Sequence, residues 1–490
     1  MELMLAVFSL LFLFATQASP PLDQVLKYID DHQDDYVQHL KEWVAIQSES
    51  GSPAKRDDVI QMIQIVGERI KSLGGSVELA DLGNEELPNG RIIPLPPVVL
   101  GELGKDPNKI TVCIYGHVDV QPARIEDGWA TDPYVLTEKD GNLYGRGASD
   151  DKGPVLAWLH AIEAFQALKQ ELPVNLKFIF EAMEESGSKG LNELLSEKNE
   201  TFFSSVDYIV ISDSGWLSEK PVLTYGTRGL CYFFVEVKCA KQDLHSGLYG
   251  GTVHEAMTDL IGLLDSLVNS SGHILIPGIN VDVAPLTEEE RLLYKAIEFN
   301  PEDFKNTIGT TELLHESKED VLLHRWRFPS LSIHGIEGAF SGPGAKTVIP
   351  AKVTGKFSIR LVPDMDPEKL NNQVTTYLNR VFAERRSPNK MQVTLKSGSR
   401  AWIARFTDKQ YVAGRRATNK VFGVDAEMIR EGGTIPIART LQHTTQKSVM
   451  LLPIGGAGDA IHSQNEKISR GNYINGTKLF AAYIAEISQL

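Results

Sequence analysis

KITVCIYGHVDV, residues 109–120, runs a largely apolar stretch straight into a histidine. A strand buried on both faces of a parallel sheet reads this way, as a near-continuous apolar run and not as an alternation. Two later stretches repeat the arrangement: VNLKFIFEAM at 174–183 is followed by Glu184 and Glu185, and VDYIVISD at 206–213 ends on Asp213. Helical spacing fills the intervals, with PVLAWLHAIEAFQAL at 154–168 and a segment through Leu191. Strand and helix in alternation predict an α/β fold, a mostly parallel sheet with helices on both faces. Upstream, Leu22, Val25, Leu26, Ile29, Val37, Leu40 and Val44 recur at three and four residues, which predicts one long helix or two short ones. A further helix is expected from about Asp57 to Leu73, with Gly74 as its stop.

After Asp213 the pattern changes. Residues 222–395 read as a long strand (TRGLCYFFVEVK, 227–238), a helix (253–268), a polar stretch, strands at 330–336 and 354–362, a helix at 367–382 and a strand at 391–395. This predicts an inserted α+β domain over 222–395, interrupting a first domain made of residues 19–221 and 396–490. The 490-residue chain is long enough for two or three such units. No internal repeat or low-complexity tract interrupts it.

The charge balance, 49 basic against 64 acidic residues for a net −15, contains no basic run able to neutralise phosphates, so nucleic acid is excluded as a partner. MELMLAVFSLLFLFATQASPP, residues 1–21, holds an apolar stretch from Leu3 to Ala15 that is too short to span a bilayer and is followed by small residues. It reads as a secretory signal over residues 1–18, which predicts a secreted, extracellular chain with no membrane span. Sequons at Asn199, Asn269 and Asn475 fit that route as glycosylation acceptors. Three cysteines make no disulfide framework. Cys231 and Cys239 bracket one strand and would stand about 26 Å apart, beyond disulfide reach.

The chemistry lies at the ends of the strands. His117 in GHVDVQP, Asp150 in GRGASDDKGP, Glu185 in EAMEESGS, Asp213 in VISDSGW and His462 in GDAIHSQNE offer two imidazoles and three carboxylates, a mixture that zinc accepts. His117, Glu185 and Asp213 each follow an apolar run and so fall at the C-terminal edge of the sheet, where open α/β sheets bind their ligands. Asp150 precedes a helix beginning near Gly153, whose positive end favours an anion. A lone histidine or aspartate in such a place is usually structural; five in order are not.

GHVDVQP, SDDKGP, EAMEES and IHSQNE, together with DLHSGLYGG, KTVIP, FSIRLVP and REGGTIP further along, resemble the co-catalytic zinc peptidase family that includes aminoacylases, glutamate carboxypeptidases and carnosine dipeptidases. The likeness covers nearly the whole chain and is greatest to the secreted dipeptidases that cleave Xaa-His substrates such as carnosine and homocarnosine. It implies two zinc ions per subunit, manganese being an alternative, with Asp150 bridging, His117 and Asp213 completing one site and Glu185 and His462 the other. It implies Asp119 as the orienting partner of His117, and Glu184 as general base. It also implies a homodimer in which His245 reaches the partner's active site, with Thr347, Arg360 and Thr434 contacting a dipeptide substrate. A broad dipeptidase or an N-acyl amino acid hydrolase is the alternative within enzymes. An inactive metal- or peptide-binding protein is the alternative outside them, against which stands the presence of Glu184 and all five ligands.

Overall fold

A computed structural model describes residues 22–490. The signal assigned to residues 1–18 lies outside the described residues. The stretch around His117 forms the strand Thr111–His117, buried along its whole length. It pairs in parallel with Asn175–Glu181 on one side and Tyr208–Ile211 on the other, and Ser448–Leu451 extends the parallel group beyond Tyr208–Ile211. These four strands are the centre of a nine-stranded sheet. Antiparallel pairing appears at its flanks, where Val98–Leu103 and Ser76–Ala80 extend one side and Val222–Thr227 and Trp402–Ile403 the other. The predicted α/β sheet is therefore present, its apolar runs in the centre where both faces are covered.

The amphipathic N-terminal region divides into two short helices, Leu22–Asp31 and Gln33–Val44, and the next helix runs Arg56–Ser72. Gly74 ends it in the left-handed region at φ 81°, a conformation glycine adopts without penalty. The helices Lys152–Ala167 and Arg470–Ile487 pack together in the main core, where the Trp158 and Phe480 rings stack at 4.0 Å between centroids. Such a pair contributes about 0.5–1.5 kcal/mol beyond its buried area. Among the described residues no helix is long and apolar enough to cross a membrane.

A second, four-stranded antiparallel sheet runs in the order Ser330–Glu337, Lys352–Leu361, Gly229–Lys238, Lys390–Ser399. Gly229–Lys238 alternates buried and half-buried residues, so one face meets a core and the other does not. The helices Ala256–Asp265 and Pro367–Glu384 cover that face, joining Leu260, Leu370 and Val374 to Phe233, Val235 and Phe357. An added Cβ at Gly355 would meet Leu260 at 2.9 Å, so the absent side chain admits the helix.

The expected start of the insertion needs correcting. Val222–Thr227 was placed at its start, yet this strand is hydrogen bonded into the central sheet, in parallel with Glu427–Glu431. The second sheet begins only at Gly229 and ends at Ser399. The polar stretch is also structured: Glu288–Ala296, Pro301–Ile308 and Lys318–Trp326 are helices. Thr287, Asn300 and Ser317 cap them through side-chain oxygens. Tyr294, Leu322 and Trp326 pack against Trp216, Val222 and Ile429, which ties this stretch to the central sheet. The three cysteines are free, as the strand geometry required for Cys231 and Cys239.

Candidate metal centre

The parallel strands deliver their functional residues to one edge. His117 is the last residue of its strand, Glu184 and Glu185 follow Asn175–Glu181, and Asp213 follows Tyr208–Ile211. Asp150 comes from the turn ahead of the helix Lys152–Ala167, and His462 from the long loop after Ser448–Leu451. His462 has φ 62°, and Ala460 and Asn465 in the same loop are also left-handed, a sparsely populated conformation for non-glycine residues. The Asn465 side chain ties the loop down by accepting the Ala130 N–H at 2.7 Å.

Two sets of donors converge, and they share one member. His117, Asp150 and Asp213 form one set, and Asp150, Glu185 and His462 the other, the ligand atoms of each lying within 4.8 Å of one another. The Asp150 carboxylate faces both: Oδ1 lies 3.0 Å from His117 Nε2 and Oδ2 lies 2.9 Å from His462 Nε2. His462 Nε2 is also 3.0 Å from Glu185 Oε2, and Asp213 Oδ2 is 3.7 Å from His117 Nε2. His462 is 53% exposed against 7% for Asp150 and 4% for Glu185, so the centre opens on its side.

Asp119 holds the site in a way the sequence did not reveal. His117 Nδ1 lies 3.1 Å from the Asp119 backbone oxygen and 3.4 Å from its carboxylate, so the closer partner is the carbonyl. The carboxylate instead accepts the N–H groups of Glu184 and Glu185, at 3.1 and 3.0 Å. One residue thus orients the histidine and fixes the peptide that carries both glutamates.

Glu466 is a second such device, missed although it lies inside a quoted motif. It is fully buried, accepts the N–H groups of Gly147, Ser149 and Asp150 at 3.1 Å, and pairs with Arg146 at 2.7 Å. Asp459 accepts the Ser149 hydroxyl at 2.9 Å. The turn that presents Asp150 is therefore built around carboxylates more than 300 residues away in sequence.

Charge in the centre is unbalanced. Burial pushes the Glu184 carboxyl well above the usual carboxylate range; His117 opposes the shift, and Asp213, Asp119 and Glu185 add to it. Asp213 is pushed up to about 7 by burial and by Asp150. Hydrogen bonds to Asp150 and Glu185 raise His462 to about 10. Burial would lower His117, but Asp119 and Asp150 hold it well above its ordinary value. Too many carboxylates share a dry space with too few positive charges. Cations between them would reverse these shifts, so the donor chemistry and the electrostatics both fit a metal.

A cavity of about 400 Å³ opens on the centre, lined by Asp150, Glu184, Asp213 and His462 and also by Arg325, Glu431 and Thr434. Arg360 Nη1 donates to Thr434 Oγ1 at 2.8 Å, which brings these two candidates together, although only Thr434 lines the cavity. His245 and Thr347 are not among the cavity's lining residues. They are exposed and meet on a ribbon where Leu244–His245 pairs with Val348–Ile349. Of the sequons, Asn269 is exposed and Asn199 half-buried, whereas Asn475 lies inside Arg470–Ile487 with Thr477 fully buried.

Known proteins are similar to this chain in sequence and in fold. The family model described as Peptidase family M20/M25/M40 matches residues 113–486. The Beta-Ala-His dipeptidase of Mus musculus is 56% identical over 97% of this chain and 98% of its own length. The Cys-Gly metallodipeptidase of Schizosaccharomyces pombe is 45% identical over 96% and 99%. The crystal structure of human carnosine dipeptidase 1 superposes with a TM-score of 0.89 at 56% identity, covering 96% of this chain and all of that one. The family match over residues 113–486, together with relatives 45–56% identical over nearly the whole of both chains, places the chain in peptidase family M20/M25/M40 as a metallodipeptidase.

Proposed function

We propose that the chain is a secreted, homodimeric dipeptidase that hydrolyses Xaa-His dipeptides such as carnosine and homocarnosine, with two zinc ions per subunit and Glu184 as general base. The observation that carries this reading is the sharing of Asp150 between two donor sets beside Glu184. His117, Asp150 and Asp213 would hold one ion, and Asp150, Glu185 and His462 the other; manganese suits the same donors. When bound, the ions supply Lewis acidity toward the peptide carbonyl and lower the pKa of water at the site. Glu184, beside the donors in the cavity wall, would take the proton of the attacking water and return it to the leaving amine. Asp119 keeps Glu184 and Glu185 aimed by gripping their backbone.

Arg360 and Thr434 are the substrate's carboxylate clamp, since a guanidinium binds a carboxylate through two parallel hydrogen bonds. His245 and Thr347, exposed and apart from the cavity of their own chain, serve the partner subunit. His245→Ala and Glu184→Gln should each be inactive alone, and co-expressed they should regain activity in the mixed dimer. Absence of rescue would place His245 in its own subunit's site. Asn269 is the preferred glycosylation site, with Asn199 next and Asn475 the least favoured because its sequon threonine is packed in the core. The mature N-terminus recovered from culture medium tests export.

A broader dipeptidase, or an N-acyl amino acid hydrolase, is the second reading, supported for the former by the Cys-Gly metallodipeptidases at 45% identity. Hydrolysis of β-alanyl-histidine by dialysed protein, with and without zinc and beside a dipeptide lacking histidine, decides between them. Zinc-dependent turnover that strongly favours histidine supports the first reading. Equal turnover of both substrates supports the broad enzyme.

A further inference from the structure

A second cavity, of about 710 Å³, opens beside the catalytic one, and the two share Trp216, Arg325, Glu431 and Ala457 in their walls. Its own walls include Phe299, Phe304 and Ile308, contributed by the helix Pro301–Ile308 and the turn before it. Ile308 is 54% exposed, a large apolar side chain open to solvent among the described residues. The neck is polar and only half satisfied. The Arg325 guanidinium lies over the Phe304 ring at 4.9 Å and makes no hydrogen bond or ion pair among the described residues. Glu431 accepts the N–H groups of Gly432 and Gly433 through Oε1, at 2.6 and 3.1 Å, which leaves Oε2 without a donor among the described residues.

A donor-only group and an acceptor-only group in the wall the two cavities share, beside the rings of Trp216, Phe299 and Phe304, favour a planar ligand that offers one of each. A neutral imidazole does so, with one ring N–H and one unprotonated nitrogen; a phenyl ring of similar size offers neither. We propose that this side cavity is the subsite for an aromatic side chain of the dipeptide, foremost the imidazole of an Xaa-His substrate, with Arg325 and Glu431 at its neck as the residues that prefer imidazole to phenyl. The assignment rests on the dipeptidase reading above. It adds residues to that reading that neither bind the metal nor clamp the carboxylate.

The test compares the zinc-loaded full-length parent with Ile308→Trp and Arg325→Met on β-alanyl-histidine, β-alanyl-phenylalanine and β-alanyl-alanine, which share both chain ends. Ile308→Trp fills the cavity from an exposed position and is expected to raise KM for the histidine and phenylalanine substrates about tenfold while leaving β-alanyl-alanine within about twofold. Arg325→Met keeps the length and removes the donors, and is expected to lower kcat/KM for β-alanyl-histidine about tenfold with β-alanyl-phenylalanine unchanged. Variants that leave the histidine substrate untouched, or that depress all three substrates alike, overturn the subsite while the dipeptidase reading stands. A parent that cleaves none of the three overturns both.

Discussion

At the scale of single residues, the centre separates groups that do chemistry from groups that aim them. Glu184→Gln keeps the shape and the backbone hydrogen bond to Asp119 but removes the base. Activity is expected to fall by at least about 10²-fold with metal content intact, as measured by steady-state turnover and metal analysis of the same preparation. Turnover close to the parent would remove Glu184 from the reaction. Glu466 is the contrasting case. Glu466→Gln leaves one carbonyl oxygen for three backbone donors and strands the buried Arg146 guanidinium. Breaking a buried pair of this kind costs about 3–5 kcal/mol, and loosening a ligand's support weakens metal binding about 10–100-fold. Urea unfolding of the metal-free protein and a chelator competition read the two effects separately. An unchanged metal affinity would reduce Glu466 to a structural role.

At the scale of elements, what the sequence displayed depended on whether the signal was local. The strand Thr111–His117 and its two parallel neighbours were legible because a strand buried on both faces must be apolar throughout, and because each ran directly into a ligand. The candidate ligands themselves were legible as motifs. The helices between Glu288 and Trp326 were not: their surfaces are charged, and only short stripes such as Tyr294, Leu322 and Trp326 reach a core. Their capping residues Thr287, Asn300 and Ser317 are the local signal the sequence carries for them. Val222–Thr227 escaped because one more apolar run carries no mark of which sheet it joins. The roles of Glu466 and Asp459 depend on contacts across more than 300 residues, for which no spacing rule exists. The helix Arg470–Ile487 shows how packing overrides local preference. Glycine inside a helix costs about 1 kcal/mol relative to alanine, so Gly476→Ala would stabilise an isolated helix. Here an added Cβ would lie 2.7 Å from the Ile454 side chain, which is itself fully buried. Overpacking of that kind costs about 1–3 kcal/mol, so the substitution is expected to destabilise the protein in urea unfolding. A gain in stability would mean that Ile454 can move aside.

For the whole molecule, metal binding and folding are linked through protons. Without metal, burial raises Asp213 and Glu466 to about 7 from ordinary carboxylate values, and Glu181 likewise. A group whose pKa is raised on folding contributes stability that is complete below its unfolded pKa and is lost as pH climbs through the folded value. These three contributions therefore fade between about 4 and 7. His462, raised to about 10 by Asp150 and Glu185, extends the loss from about 6.5 upward. His160 works in the opposite sense, because burial lowers it to about 4 and its contribution appears as pH rises from 4 to 6.5. Neither His160 nor any group that shifts it belongs to a donor set, so its contribution is much the same with and without metal and cancels when the two states are compared. What survives in the difference is the centre itself, whose carboxylates and imidazoles must lose their protons to bind a cation. The rise in Tm on adding zinc, relative to chelator-treated protein, is therefore expected to be small at pH 5.5 and to grow steadily to pH 8. Thermal unfolding at both pH values, with zinc and with chelator, measures it directly. A rise as large at pH 5.5 as at pH 8 would mean that the ligands are already deprotonated in the metal-free fold, and that positive charge from elsewhere in the protein balances the carboxylates around Asp150.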